Sequence, residues 1–301
     1  MGTAGHDDAR GYILHRLHDM GIAPYLPGSF EASYLSVDQE FSNILAAVPG
    51  KDPSLSPMLL GAHYDTCGSL PGADDNAAAV GVLLEVADGI RVEPTDRSVI
   101  FAFFDAEEPP HFLSPAMGSI RFFEDQRLGD IHCAVIMDLV GHDVPVPGLE
   151  DVLFVTGMET DSVLGEVIQS CKVDEAIRVL PTLNRYVGDM SDHHIFRTNR
   201  DPYLFLSCGM WQHYHQDTDT PEKLNFGKVE AIARYLDSLT RTVSTREMAG
   251  EFEGYDSTAI ELRYLKEVLS PLLTAMGMPL SLNGRSDIDG LITMVREQFG
   301  I

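Results

Sequence analysis

Apolar residues along the chain fall into short unbroken runs separated by longer segments of helical spacing. The runs 58-MLLGAH-63, 98-SVIFAFF-104, 133-CAVIM-137, 152-VLFVT-156 and 203-YLFLS-207 each have the length of a strand and lack polar alternation. Strands of that kind are covered on both faces. Between them, 76-NAAAVGVLLEVADGI-90 sets Ala79, Leu83, Val86, Ala87 and Ile90 on one helical face. Near the start, Ile13, Leu14, Leu17 and Met20 recur at helical spacing and stop at Gly21, a C-cap residue. Apolar strands alternating with helices predict an α/β fold with a mainly parallel, mixed central sheet sandwiched by helices. Beyond residue 245 the character changes: 258-TAIELRYLKEVLSPLLTAMG-277 and 285-RSDIDGLITMVREQF-299 are helical patterns with no further strand. The expected organisation is one domain over residues 1–245 and a helical extension over 246–301, packed on it or used in homo-oligomerisation.

Length and charge narrow the partners. A chain of 301 residues suits one large α/β unit. No run approaches the roughly 20 apolar residues of a membrane-spanning helix, which argues against membrane insertion. With 21 Lys and Arg against 46 Asp and Glu, the net charge of −25 repels phosphates and argues against nucleic acid. The start, MGTAGHDDARGYILHRL, has no basic, apolar and cleavage regions of a signal peptide. It reads as cytoplasmic, or as secreted or periplasmic if a leader was trimmed. Cys67, Cys133, Cys171 and Cys208 lie far apart without CxxC spacing and read as reduced, mostly buried thiols.

In parallel sheets ligands sit beyond the carboxyl ends of the strands, and there the polar residues concentrate. His63 and Asp65 follow the first run, Glu107 and Glu108 the second, Asp138 the third, and His213 and His215 the last. A lone histidine is more often a hydrogen-bonded structural side chain than a ligand, and an aspartate after a strand often forms a turn. As a set, imidazoles and carboxylates from different strand ends make the nitrogen and oxygen donors that zinc accepts, and crowding that charge without a cation is costly. Residues i and i+2 of an extended chain face the same way, so the Asp65 carboxylate is placed to hold the His63 ring.

The phrases HYD (63–65), PGADDNAAA (71–79), FDAEE (104–108), MDLVG (137–141), SDHHIF (191–196) and YHQDTDTPEKL (214–224) occur in an order and approximate spacing that resembles metallopeptidase family twenty-eight. These are the co-catalytic zinc aminopeptidases related to glutamate carboxypeptidase and glutaminyl cyclase, and the likeness runs over roughly residues 10–240. It implies a zinc-exopeptidase fold, two zinc ions per chain, and peptide substrates with a free N-terminus. It further implies that His63 and Asp138 hold one metal and Glu108 and His215 the other. Asp75, rather than Asp74, bridges both, through a cis peptide to Asn76. Glu107 and Asp65 are the expected catalytic pair, Glu107 as general base. His213 is then a bystander.

Several further expectations accompany the motif. Asp219, Thr220, Pro221 and Glu222 read as a helix start with a capping side chain and a proline in the first turn. Ser191, Asp192 and His193 support the site. The stretch 109-PPHFLSPAMGS-119 departs from the family's shorter connection, and its His111 and Phe112 are placed to shape a specificity pocket. Tyr186 is the candidate for the tyrosine that some relatives set beside the carbonyl oxygen. Two other functions share the motif: a single-zinc enzyme like glutaminyl cyclase, and a non-catalytic binding module, which should have lost ligands that are all present here.

Overall fold

The computed structural model describes residues 2–36, 38–275 and 282–299. Among the described residues nine strands form one sheet: β1 (Ala23–Pro24), β2 (Glu31–Ser36), β3 (Gln39–Val48), β4 (Met58–His63), β5 (Val99–Phe104), β6 (Ala134–Met137), β7 (Val152–Thr156), β8 (Arg178–Pro181) and β9 (Tyr203–Ser207). Their order is β1-β3-β5-β4-β6-β9-β7-β8, with β2 paired to β3. The central strands β5, β4, β6 and β9 are parallel, whereas β3 runs antiparallel to β5, and β7 antiparallel to β9. Every residue of β4, β5, β6 and β9 is buried, as their unbroken apolar sequences require.

The five apolar runs correspond to β4, β5, β6, β7 and β9. Strands β1, β2 and β8 have no such run, and β3 has one only in its second half, ILAAV (44–48). In β3 the interruption is polar but internal: Ser42 and Asn43 are buried, and the Asn43 amide donates to Gly118 O and to Gln126 Oε1, both at 2.8 Å. Polar groups paired inside a sheet read as loop in the sequence, because the partners lie some 75 residues away.

Helices Ala78–Val92, Ser162–Ser170 and Phe226–Ser244 share one core cluster with β4, β6 and β7, and the opening helix Ala4–Asp19 adds Ile13 and Leu17 to it. The opposite face is packed by Phe122, Phe123, Ile195 and Phe196. Beyond residue 245 the described elements are the helices Thr258–Ala275 and Arg285–Phe299; Met276 and Gly277, the end of the first expected helix, lie outside the described residues. The Arg178 guanidinium of β8 donates to Val268 O at 2.8 Å, and Arg285 pairs with buried Glu261 at 2.6 Å, tying these helices to the sheet edge and to each other. Among the described residues no helix is long and apolar enough to cross a membrane.

Candidate metal centre

The chain leaves β4 for β5 on one side of it, then crosses to β6 on the other. The turns after these strands therefore open onto one crevice, the place where doubly flanked parallel sheets bind ligands. Three non-glycine residues bend these turns through left-handed backbone: Ala106 (φ 59°) before Glu107, Leu139 (φ 54°) after Asp138, and His215 itself (φ 52°). Each such conformation costs about 1–2 kcal/mol, and the surrounding structure holds it where a side chain must be re-aimed. Gly72 (φ 63°) is required by its turn, since a Cβ there would lie 2.6 Å from the Asp75 carbonyl oxygen.

Asp75 stands between two histidines. Its Oδ1 is 3.3 Å from His63 Nε2, and its Oδ2 is 3.2 Å from His215 Nε2. His63 Nε2 lies 3.5 Å from Asp138 Oδ1, and His215 Nε2 lies 2.9 Å from Glu108 Oε2. His63 Nε2, Asp75 Oδ2, Glu108 Oε1, Asp138 Oδ1 and His215 Nε2 are buried without a hydrogen-bond partner. Donors held by one tetrahedral zinc at about 2.0–2.2 Å lie roughly 3.4 Å apart, close to the separations seen here. Donor type, spacing and unpaired atoms thus fit a metal, and Asp75 belongs to both halves of the cluster. The Asp75–Asn76 peptide is cis, as the family resemblance implies.

The buried negative charge leaves its mark on the ionisation of the group. Burial, with Asp138 adding to it, raises the Glu107 carboxyl well above the glutamate range against the pull of His63. Burial and then Asp75 push Glu108 up to about 8, and burial raises Asp138. Burial acts against a charged His63, yet Glu107 and Asp138 raise its pKa well above that of a free imidazole. For Asp75 burial is outweighed by the contacts with His215 and His63, which hold it below the usual carboxylate range. Such a cluster takes up either protons or cations.

The Asp65 carboxylate stands 3.5 Å from His63 Nδ1, at ion-pair distance, as expected, and the Asp65 carbonyl oxygen lies 3.1 Å from the same nitrogen. The carboxylate also accepts the backbone N–H groups of Glu107 and Glu108, both at 3.1 Å. One acid thus supports the ring and fixes the neighbouring turn. Asp74 faces away from the histidine pair, accepting from Gly141 N and from His142 Nδ1, each at 2.6 Å.

Asp219 differs from the expectation. Pro221–Lys223 is a single 3-10 turn without a side-chain cap, and the Asp219 carboxylate reaches across to the backbone N–H groups of Asp74 (2.9 Å) and Asp75 (3.1 Å). The following helix, Phe226–Ser244, is capped by Asn225. Tyr186 lies elsewhere: its hydroxyl bonds Asp289 and Arg285 of the last helix. The tyrosine at the cluster is Tyr214, stacked on His215 at 3.9 Å. Burial, then Asp75 and Asp138, raise its hydroxyl pKa, keeping it a donor. The signal for it was its place directly before His215. His213 bonds Thr218 at the surface, and His193 is buried against Phe205. His111 packs edge-on against Phe41 of β3.

An α/β sheet with imidazoles and carboxylates gathered beyond its parallel strands, their inner atoms unpaired, defines a metallohydrolase type of centre. Residues 43–240 match the model of peptidase family M28, and the chain belongs to that metallopeptidase family. It is 25% identical to the uncharacterized protein YfbL of Escherichia coli, over 64% of this chain and 68% of that one. It is 28% identical to a probable leucine aminopeptidase of Trichophyton verrucosum, over 66% of this chain and 57% of the relative. A vacuolar membrane protease of Vanderwaltozyma polyspora is 26% identical over 52% of the chain, which spans only 16% of that longer protein. In fold it is similar to Tannerella forsythia glutaminyl cyclase (TM-score 0.61, 18% identity, 80% of this chain and 91% of that one). A leucine aminopeptidase precursor from Bacteroides thetaiotaomicron is equally similar (TM-score 0.61, 17% identity, 80% and 90%).

Proposed function

We propose that this chain is a two-zinc aminopeptidase that hydrolyses the first peptide bond of substrates with a free N-terminus. The observation that supports two metals is the division of Asp75, one oxygen toward His63 and the other toward His215. His63, Asp75 and Asp138 hold one ion, and Asp75, Glu108 and His215 the other. When bound, zinc lowers the pKa of water to about 7 and polarises the scissile carbonyl. Glu107 accepts the proton of the attacking water and passes it to the departing amine, so no covalent enzyme intermediate is needed. Asp65, through the amides of Glu107 and Glu108, fixes both carboxyl groups relative to each other. Tyr214 presents a protonated hydroxyl beside them. The excess of carboxylates attracts the substrate's terminal ammonium, a preference in keeping with the net charge of −25.

The test is a panel of aminoacyl chromogenic amides, run with and without a chelator and beside N-blocked controls, together with metal analysis. Two metals per chain, chelator-sensitive release and no cleavage of blocked substrates support the reading. One metal with cyclisation of N-terminal glutamine replaces it with the cyclase reading, and no metal uptake replaces it with a binding module.

A further inference from the structure

We infer that Cys67 is a ligand of the outer metal position, that of Asp75, Glu108 and His215, giving it a sulfur donor that the inner position of His63 lacks. The inference rests on the metallohydrolase reading and concerns a residue outside the ligand set described above. The donor atoms of Cys67, Glu108 and His215 all lie within 4.8 Å of one another. Glu108 is 2% exposed, and its Oε1 has no hydrogen-bond partner although its Oε2 faces His215. Cys67 is a free, partly exposed thiol two residues after Asp65, on a loop that turns at Gly68 (φ 61°), where nothing lies within 4 Å of an added Cβ.

The distances favour closure. Sulfur and nitrogen on one tetrahedral zinc, with bonds of about 2.3 and 2.0 Å, lie roughly 3.5 Å apart. From a separation of at most 4.8 Å, the sulfur therefore has about 1.3 Å at most to close, within the reach of one side-chain torsion on an open loop. As the sulfur–metal bond forms, the thiol proton leaves to solvent, because the thiolate is the ligand. The outer ion then has sulfur, nitrogen and two carboxylate donors, while the inner site of His63, Asp75 and Asp138 has nitrogen and oxygen only. A thiolate selects zinc over harder divalent ions such as manganese or magnesium. The two positions therefore differ in metal preference although they share Asp75.

The experiment uses the full chain stripped with chelator and reloaded with cobalt(II). A thiolate-to-cobalt charge-transfer band in the near ultraviolet is expected, saturating at one equivalent, and lost in Cys67→Ser while the visible cobalt bands remain. Competition with a chromophoric chelator should show one of two zinc ions held more weakly in Cys67→Ser, by at least the about 10–100-fold typical of losing a supporting partner. In the unmutated protein, alkylation of Cys67 by iodoacetamide, read by peptide mass spectrometry, should slow when zinc is added. Two bound cobalt ions without the band, or Cys67 alkylated equally fast with and without zinc, overturn the inference and leave the metallohydrolase reading standing. A chain that binds no metal overturns both.

Discussion

Replacing Asp219 with alanine separates two views of that residue. Its carboxylate is 2% exposed and accepts the N–H groups of Asp74 and Asp75, which are themselves buried. Hydrogen bonds to a charged acceptor contribute about 1.5–3 kcal/mol each, so removing two costs roughly 3–6 kcal/mol. Relief of repulsion opposes this, since the change deletes a charge beside two aspartates. Burial raises the Asp219 pKa, while the amides of Asp74 and Asp75 pull it back and their carboxylates push it up. The variant is less stable because alanine leaves two buried amides without an acceptor, a larger loss than the repulsion relieved. Because the freed amides belong to the loop that carries Asp75, metal affinity falls as well. Asp219→Asn keeps one accepting oxygen and should lose about half as much. Denaturant unfolding with and without chelator reads the first effect through the midpoint at constant slope, and metal titration reads the second. A helix cap alone would cost about 1 kcal/mol and leave metal binding untouched. That outcome, in Asp219→Ala, refutes the loop-anchor reasoning.

Glu107→Gln should keep both metals and the fold while lowering turnover by about 10²–10⁴-fold; near-parental turnover in a metal-loaded variant excludes Glu107 as proton carrier. Asp75→Ala should lose both ions, whereas Asp65→Asn should weaken them on the order of 10–100-fold, and two tightly held ions in Asp75→Ala would dismiss the bridge. Glu108, pushed up to about 8 by burial and Asp75, and His63, raised by Glu107 and Asp138 against burial, carry protons that a metal must displace. Apparent zinc affinity should therefore weaken as pH falls below about 8. Calorimetry in buffers of different ionisation heat measures the released protons, and their absence contradicts the assignment. Zinc at 100 times its dissociation constant should stabilise the fold by about 2.7 kcal/mol per site, and an unfolding midpoint indifferent to chelator would show that the cluster holds no ion.

The central strands and the helices between them were legible because burial on both faces demands uninterrupted apolar sequence, and β4, β5, β6 and β9 have it. The ligand candidates were legible because each directly follows one of those strands or belongs to an ordered phrase. The antiparallel border of β1, β2 and β3 was not. Ser42 and Asn43 of β3 are made tolerable inside by the Asp105 carboxylate and by Gly118 and Gln126, partners that local spacing does not reveal. The same holds around the metal cluster. That Asp65 fastens the turn of Glu107 and Glu108, and that Asp219 fastens the loop of Asp75, are facts of position across 42 to 145 residues of chain. A side chain's type and its neighbours in sequence determine what bonds it can make. Which donor it meets, and hence whether it caps a helix or holds a metal loop, is decided only when the folded sheet brings distant turns to one edge.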